Sequence, residues 1–380
     1  MKISKDRILS THVGSLPRSE KVFKLIFDRE EGKEMDNNDY DKVIADAVKT
    51  VVIKQEDAGI DIVSDGEQSK ISYATYIKYR LNGFEGDSPR STPRDLEEYP
   101  KFSARASKSG GVPNFTRPRC TGEVSVKDIR PLEIDLENFQ NALQDMNVTD
   151  AFMNAASPGV IALFQPNDYY SDHQSYLYAL ADSMKVEYEG IAKAGFVIQI
   201  DSPDLALGRH VMFKDKSDRE FVSMLELHIE ALNHALENIP ADQLRLHVCW
   251  GNYQGPHHCD IEMKKILPAV LKAKPQALSF EGSNPRHSHE WTVFRDADIP
   301  EEKILIPGVV DSTTNFIEHP QLVAERICRF AQIVGRERII AGSDCGFSTF
   351  AGYGTVDADI TYAKLESLAK GAEIASGKLW

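Results

Sequence analysis

Residues 244–252 read LRLHVCWGN. The run Leu244–Cys249 has the look of a short buried strand, and side chains two apart on a strand face the same way. His247 and Cys249 therefore point together from its C-terminal end. Two more residues occupy the same kind of place. Glu281, 32 residues after Cys249, ends the apolar run ALSFE, and Cys345, a further 64 on, follows the run IIAGS. Strand C-terminal ends are where a (β/α)8 barrel carries its chemistry. Two thiolates, one imidazole and one carboxylate suit zinc, which takes S, N and O ligands in a tetrahedron. One His or Cys at a strand end is more often packed than ligating. The coincidence of three strand ends makes the metal reading the stronger one.

Outward from this stretch, short apolar runs alternate with longer helical patterns, the signature of a parallel sheet with crossover helices. Eight core strands are expected, near 8–13, 60–65, 151–156, 196–201, 244–249, 277–281, 304–309 and 338–343. Helical spacing of apolar residues marks 41–58, 174–194, 217–238, 260–273, 320–334 and 357–376. The expected architecture is a TIM (β/α)8 barrel, read as one catalytic domain over 1–380. A long insertion, about 70–150, separates the second and third strands. It is rich in Pro, Ser and charge at 88–102 and in turn formers at 107–118, with a β-hairpin expected near RCTGEVSV and a helix near 135–146. An insertion of this length in a compact domain is usually functional, as a lid or an arm between copies in a homo-oligomer. The alternative is a surface excursion with no part in the chemistry.

The chain has 380 residues, 42% of them hydrophobic, enough for a full core, and a formal net charge of −14. That balance, with no basic run, argues against nucleic-acid binding. Five cysteines, an odd number at irregular spacing, do not form a disulfide framework. With no apolar leader and no run of about 18 apolar residues, the expectation is a cytoplasmic enzyme with no membrane partner.

Other polar residues cluster at the expected mouth. The first strand leads into THVGSLPR, giving Ser15 and Arg18; the second into SDGEQSK, giving Glu67; the fourth into QIDSPDLALGRH, giving Asp201, Arg209 and His210. Strand-end carboxylates bind cations, transfer protons or orient metal ligands, although a structural ion pair is as common a use. The run HVCWGNYQGPHHCD adds Tyr253, His257, His258 and Cys259. His-His-Cys suggests a second metal site. Adjacent side chains diverge, however, and no further ligand set is visible, so a polar loop is the better expectation.

These motifs, with VGSLP, DGE, GEV, QIDSPDL, GVVD and DCG in order along nearly the whole chain, resemble the catalytic barrel of the cobalamin-independent methionine synthase superfamily. The resemblance implies zinc held by His247, Cys249, Glu281 and Cys345. It also implies homocysteine held by Ser15, Glu67 and Asp201. Two departures weigh against a folate donor: Thr313 stands where the family carries a histidine, and Phe347–Phe350 replaces a basic stretch. The runs SDGEQSKISYATYIK, CWGNYQGPHH, NPRHSHEW and DSTTNFIEHP look closer to the single-barrel epoxyalkane:coenzyme M transferases. The partners implied are then a small thiol and a small epoxide. Tyr253, His257 and His210 are candidate proton donors, and Arg18, Arg209 and Arg286 candidate partners of a sulfonate. The alternative is methyl transfer to homocysteine from methylfolate or a methyl-corrinoid.

Overall fold

The computed structural model describes residues 1–89, 91–109, 116–352 and 354–380. Their strands are β1 (Leu9–Ser10), β2 (Ile62–Val63), β3 (Leu81–Glu85), β4 (Arg119–Val126), β5 (Asp150–Ala156), β6 (Val197–Asp201), β7 (Leu244–Val248), β8 (Ala277–Phe280), β9 (Ile304–Val310) and β10 (Ile340–Ser343). Eight of them pair in the order β1-β10-β9-β8-β7-β6-β5-β2, all parallel. The two ends of this sheet meet at Asp61. Its N–H donates to the Ser10 carbonyl at 3.2 Å. Its carboxylate accepts from Ser10 N–H at 2.8 Å and Ser10 Oγ at 3.0 Å, and from both Arg7 terminal nitrogens. The result is a nearly closed (β/α)8 barrel, as the sequence predicts.

All eight strands are buried on both faces or nearly so, which explains their unbroken apolar runs. Leu9, Ile62, Phe152, Val197, Ala277, Ile304, Ile306 and Ile340 pack together and fill the N-terminal half of the barrel. Above them lies the fully buried Arg245, two residues before His247 on β7. Its guanidinium rests 3.9 Å from the centre of the Phe152 ring. It donates to Thr11 Oγ1 at 3.0 Å and to the His12 carbonyl at 2.6 Å.

The expected helices are present, at Asn37–Asp57, His173–Lys193, Asp218–Ala235, Met263–Val270, Pro320–Val334 and Ala358–Leu379. Local chemistry sets their ends. Ser217 and Glu220 form a reciprocal capping box on the third, and Gly335, at φ 91°, stops the fifth. Helices at Glu20–Glu30, Pro158–Phe164 and Trp291–Asp296 were not anticipated.

The insertion is organised around β3 and β4, which pair antiparallel. The hairpin expected near 119–126 is thus half right: β4 is there, but its partner precedes the excursion and no tight turn joins them. Short helices follow at Arg94–Glu97 and Pro100–Ser109, and a longer one at Arg130–Leu143. Residues 110–115 of the turn-forming run lie outside the described residues. Among the described residues, no helix is long and apolar enough to cross a membrane.

Candidate metal centre

His247 is the penultimate residue of β7, and Cys249 follows immediately after the strand. Cys345 sits just beyond β10. The three ligand atoms lie within 4.8 Å of one another, and all three residues are buried. Cys249 Sγ is 3.1 Å from Cys345 Sγ. Glu281, one residue past β8, brings Oε1 to 3.7 Å from Cys345 Sγ. His247 Nδ1 is buried and finds no hydrogen-bond partner. Burial pushes the His247 imidazole down to about 3, with Arg245 acting the same way. Burial also drives Cys345 well up, and the neighbouring Cys249 adds to it. Cys249 is held down by its contact with Cys345, but burial and Glu281 prevail and its thiol is raised. A neutral imidazole with an idle lone pair and two thiols that need a cation to ionise fit a soft or borderline metal ion.

Glu281 is held from two sides. Trp250 N–H donates to Oε1 at 2.8 Å, and Asn284 Nδ2 to Oε2 at 2.7 Å. The Trp250 ring stacks on His287, with centroids 4.2 Å apart. His287 faces carboxylates at both nitrogens, Glu290 at 2.8 Å and Asp260 at 3.0 Å. Despite its burial these partners raise it to about 10, so it is an imidazolium. His257 is likewise raised against its burial, to about 9, with Nδ1 3.0 Å from Asp260 and Nε2 2.8 Å from the Tyr253 carbonyl. Burial still raises the Glu281 carboxyl, while these two cations pull it down. Asp344 fixes the following turn, accepting from the N–H groups of Gly282, Ser283 and Asn284 at 2.8–2.9 Å.

A cavity of about 420 Å³ opens onto the sulfurs. Its floor holds Ser15, Glu67 and Asp201 with His247, Cys249 and Cys345. Its outer walls are largely apolar, with Tyr73, Leu96, Phe164, Leu207, Val211 and Phe350. Glu67 has φ 55°, a left-handed backbone unusual for a residue with a side chain. Its Oε2 is buried without a partner. Burial raises Glu67 to about 8 and Asp201 to about 6. Asp201 is fixed by Asn154 Nδ2 at 2.9 Å and Gln199 Nε2 at 2.8 Å. Gly14, at φ 136°, lets the first loop press on Asn154; a Cβ there would overlap the Asn154 amide.

Ser15, Glu67 and Asp201 thus share one cavity with the three clustered ligands. The remaining expectations fall elsewhere. Arg18 is consumed by the carbonyls of Ser348, Glu67 and Lys70. Arg209 pairs with Asp218 at 2.9 Å. Neither lines the cavity, and nor does Arg286, which is exposed. Tyr253 contributes to the wall but turns its hydroxyl to Asp95, donating at 2.9 Å. His257 and His210 face the Asp260 cluster, and His210 Nδ1 lies 3.5 Å from Asp260. As placed, none of the three proton-donor candidates presents its N–H or O–H to the cavity. Thr313 is turned to Asp311.

Sequence reasoning missed Asp95, Arg117, Asn252 and Asp344. Asn252 ties the loops after β7, β9 and β10 through Gly346, Thr349 and Ser312. The Asp beside Cys345 was a visible signal for Asp344. Asp95 and Arg117 lie in the insertion, where no periodicity points inward.

The sequence matches the family described as the catalytic domain of cobalamin-independent synthase over residues 8–89 and 164–362. It is 24% identical over 374 residues to a methionine synthase of Saccharolobus solfataricus, covering 97% of this chain and 95% of that one. A methionine synthase of Thermococcus kodakarensis is 24% identical over 373 residues, covering 97% and 93%. Among solved structures, a B12-independent methionine synthase from Shewanella sp. W3-18-1 in complex with selenomethionine superposes with a TM-score of 0.72 at 19% identity. That likeness of fold covers 98% of this chain and 99% of that one.

Proposed function

The chain belongs to the family of cobalamin-independent synthase catalytic domains, and from that premise we propose that it transfers a methyl group to the thiol of homocysteine, using zinc. The whole of 1–380 is read as one catalytic unit. One observation carries the choice of thiol: the cavity floor beside the sulfur ligands presents a buried, unpartnered carboxylate oxygen, Glu67 Oε2, next to Asp201. A pair of neighbouring carboxylates with an oxygen left unbonded suits the substrate ammonium. The methionine synthases to which the chain is similar support the same reading.

His247, Cys249 and Cys345 would hold the zinc, with Glu281 completing the shell. Zinc held there would keep the substrate thiol ionised near neutral pH. Glu67 and Asp201 bind the ammonium and fix the direction of the chain that carries the sulfur. Ser15 offers a hydroxyl beside them. Glu281 Oε1, 3.7 Å from Cys345 Sγ, would be within reach of a proton leaving the substrate thiol. Tyr73, Phe164 and Phe350 keep water from the sulfur and form an apolar seat for the donated methyl, from a folate or a corrinoid carrier.

A second reading has its own observation. Arg117 lines the cavity over Phe164 and Phe350, at 5.5 and 6.0 Å from their ring centres. A sulfonate thiol such as coenzyme M would meet a cation on the cavity wall there, with a small epoxide as electrophile. Calorimetric titration of the zinc-loaded protein with homocysteine and coenzyme M in parallel separates the two. Binding of homocysteine, abolished in Cys249→Ala together with zinc and activity, is the expected result. Binding of coenzyme M alone would favour the second reading, and a Cys249→Ala protein that keeps zinc and activity would overturn both.

A further inference from the structure

We propose that Glu98, His258 and Cys259 form a second zinc site, at the rim of the cavity, that pins the insertion to the loop after β7. The three offer one ligand atom each within 4.8 Å of one another. His258 Nε2 lies 3.6 Å from Cys259 Sγ, Cys259 Sγ 3.9 Å from Glu98 Oε1, and His258 Nε2 2.6 Å from Glu98 Oε2. Tetrahedral zinc with its usual bond lengths sets sulfur about 3.6 Å from nitrogen or oxygen, and nitrogen about 3.4 Å from oxygen. The sulfur–nitrogen distance already lies near that shape. With Oε2 as the ligand oxygen, nitrogen and oxygen need to part by about 0.8 Å, and because the 3.9 Å from sulfur runs to the other oxygen, Oε1, the Glu98 carboxylate also turns; one hydrogen bond gives way to two metal bonds.

Sequence alone argues against this site, because neighbouring side chains on a regular strand diverge. The backbone removes the objection. His257 is left-handed, at φ 52°, and His258 and Cys259 occupy the turn that follows. The turn gathers the two side chains on one side. The third ligand comes from 160 residues earlier in the chain, immediately after the helix Arg94–Glu97. No periodic pattern links the two segments, so the set becomes visible only in three dimensions.

The site stands apart from the first. Its ligands do not line the cavity, and Glu98 and His258 are exposed, so an ion can enter from solvent. Arg94 Nε lies 3.5 Å from Glu98 and is a competitor for that carboxylate. An S, N, O donor set selects a borderline ion over Mg2+ or Ca2+. On binding, Cys259 Sγ loses its proton to solvent, and the proton on His258 Nε2 moves to Nδ1 or to solvent, freeing both lone pairs. The metal would then tie the same insertion segment that Asp95 holds to Tyr253, and that places Thr92, Pro93 and Leu96 on the cavity wall.

The test uses the full chain, stripped of metal and titrated with Zn2+. Wild type is expected to take up two equivalents per chain. His258→Ala and Cys259→Ser are expected to take up one, with the second weakened upward of about a hundredfold, more than loss of an outer-shell partner costs. Alkylation of wild-type Cys259, followed by peptide mass spectrometry, needs no variant and should slow once the second equivalent is bound. A single equivalent in the wild type, a second equivalent untouched by both substitutions, or Cys259 labelling indifferent to Zn2+ would each overturn the proposal.

Discussion

Glu67 carries a conflict between burial and charge: burial pushes its carboxyl up, Lys70 and Arg18 pull it down, and burial prevails. Its carboxyl is raised from 4.5 to about 8, so the folded chain keeps a proton that the unfolded chain releases. That contribution to stability is complete below about pH 4.5 and is lost as the pH rises through about 8. Glu67→Gln stays neutral throughout. It should therefore match the wild type in acid and exceed it in denaturant unfolding above pH 8. The same substitution should remove a pH dependence from binding. Wild-type affinity for homocysteine should rise between about pH 6 and 8, as Asp201 and Glu67 ionise, and calorimetry on Glu67→Gln should find weak binding that keeps the part of the rise near pH 6 and loses the part near pH 8. At this scale the sequence was legible where chemistry coincided with a strand end: His247, Cys249 and Cys345 come together as their positions suggested, with Glu281 beside them. It was misleading where a polar tip could turn either way. Tyr253 reached the cavity wall, but Asp95 claimed its hydroxyl.

Among the elements, the short helix Arg94–Glu97 does the most with the least. It has four residues and no side-chain cap. Besides the Lys214–Glu97 ion pair at 2.6 Å, its place over the cavity is held by the buried Asp95, whose carboxylate accepts from Tyr253 Oη and from the His257 N–H, all at 2.9 Å. Asp95→Ala would strand two donors at a cost of about 1–3 kcal/mol. We expect that loss as local opening: faster hydrogen exchange and proteolysis across 92–106, with the barrel strands unchanged. Exchange as slow as in the wild type would show that the segment is held by other means. The core strands were readable because burial on both faces writes itself as an apolar run. The insertion was not, since β3, LNGFE, has no clean alternation and its partner is set by an excursion of unreadable path.

For the molecule as a whole, the critical place is the seam between β1 and β2, strands of two residues each. Every other joint of the barrel is a backbone ladder. This one leans on Asp61, which serves Arg7 and Ser10 from one carboxylate. Asp61→Ala should cost about 1–3 kcal/mol for the buried donors it abandons, read as a lower midpoint in denaturant. Zinc should mask part of that deficit, because a ligand that binds only the folded barrel adds about 4 kcal/mol at a thousand times its dissociation constant. Barrel closure was legible in the count of strands. The seam residue was not, because one acidic residue before a strand resembles any other until its partners are known.

The sulfurs of the two cysteines in the candidate metal centre stand 3.1 Å apart. A sulfur–sulfur bond of about 2.05 Å is then a movement of about 1 Å away. Any ion that holds these thiolates also acts as a guard against oxidation. Stripped of such an ion in air, the chain can record the loss as a covalent cross-link that added metal will not undo and only a reductant will, so the history of a sample, and not just the metal added to it, would decide whether the site can bind.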